Sequence, residues 1–310
     1  MDFFYYYFAA VAFLFGLIFG SFLNVCIYRL PRDLSVVSPR SACPNCKTPI
    51  AWRDNLPVLS WLLLHGKCRA CGVRITPRYA IVELTTGLLF LFSYVYIGGP
   101  TLGTIKACVF CFLVLGLIFT DFETFLLPDT MTLPGLGLGL VFSALVPMNS
   151  ILERIYGPRA IHGMQVNVPM LRALSAGDAL AGAILGGGFI FLIGEAYFRV
   201  RGIEGMGFGD VKLMAMVGAF LGIERTVIVI FVASIVGSVV GLGLVAVRYR
   251  RRLAAFRKRQ SPNAERRARL SAARAMRLQE IPFGVFLGGA SLFALFFADR
   301  IVFWYLRMLF

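Results

Sequence analysis

Two short stretches of the 310-residue sequence hold carboxylates where an apolar chain should avoid them. One is Thr120-Asp121-Phe122-Glu123-Thr124-Phe125-Leu126-Leu127-Pro128-Asp129, and the other is Glu204-Gly205-Met206-Gly207-Phe208-Gly209-Asp210-Val211-Lys212. Each borders a long apolar run, and acids beside a bilayer are costly enough to call for a functional reading. If Asp121 and Asp210 met in a cleft, the two like charges would share one proton and activate a water held between them. A second chemistry lies in Cys43-Pro-Asn-Cys46 and Cys68-Arg-Ala-Cys71. Four thiolates from two such knuckles match the tetrahedral preference of Zn²⁺. The closed sulfur shell would make the metal structural, because no position is left for a reacting water, and a short loop with little core would gain folding energy from it. Disulfide pairing is the competing reading, and a reducing cytoplasm argues against it. Cys108-Val-Phe-Cys111 has the same spacing but falls inside an apolar run; these two and Cys26 read as packing residues.

The elements that would position these groups are membrane helices. The chain is 58% hydrophobic and only 15% charged, with a mean hydropathy of +0.78, which leaves too little polar surface for a soluble globule. It nevertheless carries a formal charge of +15. Residues 29–80 carry +7, residues 248–280 carry +10 and the remainder −2. The excess is thus confined to two loops, and a nucleic-acid-binding domain is not expected. Apolar stretches over 3–28, 80–99, 102–120, 131–148, 179–198, 211–223, 226–247 and 283–306 each approach the ~20 residues of a membrane-crossing helix, the sixth being short. An all-α polytopic membrane protein of about eight transmembrane helices is therefore expected. It divides into a first helix over 1–28, a small cytoplasmic tetracysteine zinc-binding loop domain over 29–79, and a membrane domain over 80–310 that includes the basic loop 248–282.

Lys/Arg-rich loops stay on the cytoplasmic side. Both basic loops fall inside if the N-terminus and C-terminus lie outside, with 121–130 and 199–210 also cytoplasmic and 149–178 external. The start lacks a basic n-region and reads as a retained first span. This topology brings Asp121 and Asp210 to one depth on the cytoplasmic face, the arrangement of an aspartic protease. His65 and His162 fall on opposite sides, so a catalytic histidine pair is not expected. Asp129 follows Pro128 and reads either as a cap of the fourth span or as support for the site. The run Gly205, Gly207 and Gly209 reads as a turn, and no strand precedes it, so it is not a dinucleotide loop. Glu83, one turn into the second span, is either a buried structural acid or part of a further site.

Several motifs together carry a resemblance. Gly20-Ser21-Phe22-Leu23-Asn24-Val25 with Arg29-Leu30-Pro31, the two cysteine pairs, Arg78-Tyr79-Ala80-Ile81-Val82-Glu83-Leu84, Asp121 through Pro128-Asp129, Gly207-Phe208-Gly209-Asp210-Val211-Lys212-Leu213 and Ile281-Pro282-Phe283-Gly284 occur in this order along most of the chain. The sequence resembles the bacterial prepilin peptidases, the GxGD aspartic proteases of type IV pilus and type II secretion systems. The stretch 149–178 looks longer than that family needs.

The resemblance implies a bifunctional enzyme of the bacterial inner membrane. It would cut the basic leader of type IV prepilins and pseudopilins at the cytoplasmic face and then methylate the new N-terminal residue with S-adenosylmethionine. Asp121 and Asp210 match the catalytic pair, with Gly207, Gly209, Pro128, Asp129 and Lys212 as support, Cys43, Cys46, Cys68 and Cys71 as metal ligands, and Gly66, Lys67 and Glu83 matching positions tied to methylation. A GxGD protease without methyltransferase activity and a proton-coupled transporter are the alternatives; no matching halves with broken helices point to the latter. From helix polarity alone, Asp210 at a helix start is expected to be the base and Asp121 at a helix end the acid. Glu123, Asp129 and Glu204 would draw a basic leader to the mouth, though solvated surface acids are an equal reading for Glu123 and Glu204. The segment 248–280 reads as a basic helix on the anionic inner leaflet.

Overall fold

The computed structural model describes residues 2–146, 168–202, 207–258, 265–266 and 282–309. His162, Glu204, Gly205, Met206, Ile281 and most of the two long loops (149–167, 259–264 and 267–281) lie outside the described residues. Those described are helical apart from connecting turns and two isolated β-bridges. In chain order the helices are α1 (Asp2–Arg29), the one-turn α2 (Leu59–Leu63), α3 (Arg78–Ile97), α4 (Leu102–Thr124), α5 (Asp129–Leu145), α6 (Val168–Arg201), α7 (Phe208–Lys258) and α8 (Phe283–Leu309). Six of them are long and apolar enough to cross a membrane, and α5 is a shorter apolar helix.

Helix α7 is broken at Gly222 (φ 78°, ψ 179°), and its two arms run in opposite directions. The first arm, 208–221, advances in parallel with α5: Lys212 pairs with Asp129, Met216 lies against Gly135, and Phe220 against Gly139. The second arm returns antiparallel to α8, with Arg225 paired to Asp299 and Gly237 beside Phe286 and Phe283. The break thus makes two antiparallel apolar arms of one helix, so eight apolar segments alternate through the bundle among the described residues.

Close backbone approaches hold these helices together, as expected where lipid removes the hydrophobic drive between them. A Cβ on Gly20 of α1 would lie 2.6 Å from the Glu83 Cα of α3, and one on Gly182 of α6 would lie 2.6 Å from the Gly218 carbonyl of α7. Leu23, Phe110, Val114, Leu117, Leu213, Met216 and Leu287 fill the space between the helices.

Two boundaries differ from the sequence expectation. Residues 168–178, placed in the external loop by hydropathy, begin α6, because Val168-Pro169 opens a run of Met, Leu, Arg and Ala that favours helix whatever its polarity. Residues 248–258, placed in the basic loop, prolong α7 for the same reason. Hydropathy reports where lipid ends, not where a helix does.

Candidate active site

The end of the bundle that carries the cysteine domain also gathers the two aspartates. Asp121 lies in the last turn of α4 and is buried, at 6% exposure, and Asp210 lies in the first turn of α7, at 8%. Asp121 lies close enough for its charge to act on Asp210. Among the described residues no Lys or Arg is paired with either one.

Three chain turns fix these side chains. Helix α4 closes on Phe125 in the left-handed conformation, whose amide donates to the Asp121 carbonyl at 2.9 Å. Pro128, extended at φ −68° and ψ 131°, then starts α5. Helix α8 supplies the third: its Val285 amide donates to Asp121 Oδ2 at 3.0 Å, and the Gly284 amide is also directed at that carboxylate. These are first-turn amides with no partner inside their own helix. A Cβ on Gly284 would lie 2.8 Å from Asp121 Oδ2, so this position needs glycine for the carboxylate to seat.

Helix polarity within the sequence assigned the base to Asp210 because Asp121 ends its own helix. The structure adds what the sequence pattern did not show, that Asp121 also sits on the start of α8. An oxygen that accepts backbone amides is held as an acceptor.

The remaining support residues separate into those that touch something and those that do not. Asp129 opens α5 without capping it by its side chain; its carboxylate instead accepts from Lys212 Nζ at 2.6 and 2.7 Å. This pair ties the start of α5 to the start of α7. Gly209 faces Leu127, with a built Cβ 3.0 Å from the Leu127 Cβ, whereas a Cβ on Gly207 would meet nothing closer than 4.0 Å. Glu123 is joined to Arg78 of α3 through both carboxylate oxygens, so it braces α3 against α4.

The four cysteine sulfurs lie within 4.8 Å of one another. Cys43 and Cys71 are 3.9 Å apart, and Cys46 and Cys68 are 4.0 Å apart. A tetrahedron with Zn–S of about 2.3 Å has edges of about 3.8 Å, so the donor set fits zinc. Both knuckles are built alike. The Cys43 amide donates to Thr48 and the Lys47 amide to Cys43, while the Cys68 amide donates to Val73 and the Gly72 amide to Cys68. Lys47 (φ 58°) and Gly72 (φ 68°) occupy equivalent left-handed corners. The Thr48 hydroxyl and amide lower the Cys46 thiol to about 6 from its ordinary 9.0, which readies it as a thiolate ligand.

Gly66, Lys67 and Glu83 each make contacts of their own. Lys67 bridges to Arg74 in the second knuckle, Gly66 (φ 64°) packs on the Trp61 ring, and Glu83 is buried with Oε2 accepting from the Val58 amide at 2.7 Å. Glu83 therefore anchors the cysteine domain to α3. Sequence reasoning missed Lys106 and Asp178, lone charges in or beside apolar segments, a signal that by itself could have found them. It also missed the buried Asn24, whose Nδ2 donates to the Tyr79 carbonyl at 3.0 Å.

Comparison with known proteins agrees with this geometry. Residues 14–97 match the model of the bacterial peptidase A24 N-terminal domain, and residues 108–242 match that of the type IV leader peptidase family. A prepilin leader peptidase/N-methyltransferase from Aeromonas hydrophila is 34% identical over 324 residues, covering 97% of this chain and 94% of that protein. Proteins of the same description from Myxococcus xanthus and Klebsiella pneumoniae are each 38% identical, over 76% and 68% of this chain and 62% and 83% of their own lengths. No solved structure matches. With its two buried aspartates at one end of a helical membrane bundle, the chain belongs to the type IV leader peptidase family.

Proposed function

We propose that this protein is a bifunctional inner-membrane enzyme that removes the leader of type IV prepilins and pseudopilins at the cytoplasmic face and then methylates the new N-terminus. The observation that carries the cleavage reading is the buried pair Asp121 and Asp210, brought together from α4 and α7 without a neutralising cation among the described residues. The basic charge at 29–80 and 248–280 supports placing this end in the cytoplasm. A substrate with an apolar helix in the bilayer and a basic leader outside it would deliver its scissile bond to this depth.

Asp121, held on the amides of α8, enters the cycle ionised, and Asp210 carries the shared proton. Asp121 takes a proton from the water as its oxygen bonds to the scissile carbonyl carbon, while Asp210 gives its proton to the carbonyl oxygen. The resulting gem-diol collapses when Asp121 passes its proton to the leaving nitrogen and a gem-diol hydroxyl returns one to Asp210. The C–N bond breaks and both carboxyls regain their starting state. Cys43, Cys46, Cys68 and Cys71 would hold a structural zinc that fixes the loop domain over the membrane body. For S-adenosylmethionine the described residues offer no built site: there is no strand–helix nucleotide unit, and Glu83 is committed to the Val58 amide. Methylation therefore rests on family membership.

Purified protein incubated with a prepilin, with and without S-adenosylmethionine, tests both activities by mass spectrometry. Loss of the leader in both samples and a gain of one methyl only with the donor is the expected result. Cleavage without any methyl gain would leave the protease alone, and an intact prepilin would overturn the reading.

A further inference from the structure

The opposite end of the bundle holds a second polar cluster, with Lys106 and Ser143 buried and Asp178 half-buried, that the cleavage chemistry does not use. It surrounds the break in α7. In an unbroken helix the Ala219 carbonyl would accept from the Ile223 amide, but the left-handed turn at Gly222 separates them. Each half of that lost bond has a side-chain replacement. The Ile223 amide donates to Asp178 Oδ1 of α6 at 3.2 Å, and the Ala219 carbonyl accepts from the Ser143 hydroxyl of α5 at 2.9 Å. Ser143 in turn accepts from Lys106 Nζ of α4 at 2.9 Å. Lys106 is 2% exposed and Ser143 3%.

Charge and shape agree with this pairing. A carboxylate sits at the start of the second arm and a lysine chain at the end of the first, each on the favoured end of a helix dipole. Asp178 is one turn from Gly182, whose missing side chain lets α6 lie directly on the backbone of α7 near Gly218 and Gly222. A Cβ on Gly222 would lie 1.9 Å from Asp178 Oδ2. Helices α5 and α6 therefore grip one point of α7, with α4 behind them through Ser143, and that point ends the arm that begins with Asp210. The arm has about 18 Å between Asp210 and the break at 1.5 Å per residue. It is shorter than the hydrocarbon layer, so the exposed backbone groups at its end have only protein to satisfy them.

We propose that Lys106, Ser143 and Asp178 are positioning residues for the cleavage reaction: by terminating the helix arm at Gly222 they set the depth and rotation of Asp210 opposite Asp121. This inference rests on the cleavage reading above. Loosening the far end lets the arm slide or turn, and a misplacement of about 1 Å at a reacting carboxyl lowers turnover by up to about 10²-fold. The expected signature is a loss of kcat for cleavage with KM and methylation retained.

The test uses the full-length enzyme in lipid nanodiscs, with prepilin cleavage and methylation of a pre-cleaved pilin measured on the same preparation. K106M, S143A and D178A are each expected to lower kcat for cleavage about 10–100-fold, with KM within about twofold and methylation unchanged. D178N keeps an oxygen for the Ile223 amide and should stay within about threefold of the parent. Wild-type kcat in K106M, S143A and D178A would overturn the proposal. So would a parallel loss of cleavage and methylation, the mark of a merely structural role. A parent enzyme that leaves prepilin intact while methylating pre-cleaved pilin would instead refute the cleavage reading.

Discussion

The two ends of the bundle handle buried charge in opposite ways. Around Gly222, Asp178 takes a backbone amide, Lys106 a hydroxyl, and Arg225 the Asp299 carboxylate, so each polar group there holds the break or joins two helices. At the other end, among the described residues, Asp121 accepts from backbone amides of α8, Asp210 faces Asp121, and the cations Lys212 and Arg78 are engaged by Asp129 and Glu123. Burial alone does not mark a reactive group; two carboxyls buried against each other do. One end keeps a helix break closed, and the other keeps a proton available.

The sharpest way to break this contrast is to remove carboxylate charge at each end. D121N or D210N should lower prepilin cleavage by at least about 10³-fold, and the double variant should be no slower than either single one because the pair acts as a unit. Single-turnover kinetics decides this, and additive losses would show independent roles. Melting temperature supplies the opposite reading: D210N should melt no lower than the parent, since a neutral amide replaces a titratable carboxyl buried beside a carboxylate, whereas D178A should melt lower by a few degrees.

Next in size is the metal. One zinc per chain is expected by atomic absorption, and C46S or C71S should bring it below half. Chelation should open Cys43, Cys46, Cys68 and Cys71 to a thiol reagent while Cys26 and Cys111, buried in the helix core, stay protected. The ion pairs at the mouth come last. K212M should slow cleavage by no more than about fivefold, and E123Q by about twofold, because partly exposed pairs contribute little. A loss in K212M as large as that in D210N would place Lys212 in the chemistry.

The helix count, the cysteine set and the meeting of the two carboxylates were legible because each depends on composition or on spacing that topology converts directly into depth. The seat of Asp121 was not. Val285, far away in sequence, brings a helix start to Asp121, and no local pattern announces which neighbour a helix end will meet. The break at Gly222 was legible only as a short apolar segment; that Asp178 and Ser143 take its freed backbone groups, with Lys106 behind Ser143, depends on helices that meet only in the fold. Glu83 was open between two readings, and its contact with the Val58 amide lies outside any local pattern.

The most direct measurement presents one preparation of D121N with intact prepilin and, separately, with pre-cleaved pilin plus S-adenosylmethionine, and weighs the products. Uncut prepilin beside fully methylated pre-cleaved pilin is the expected result. Leader removal by this variant would contradict the role of the aspartate pair.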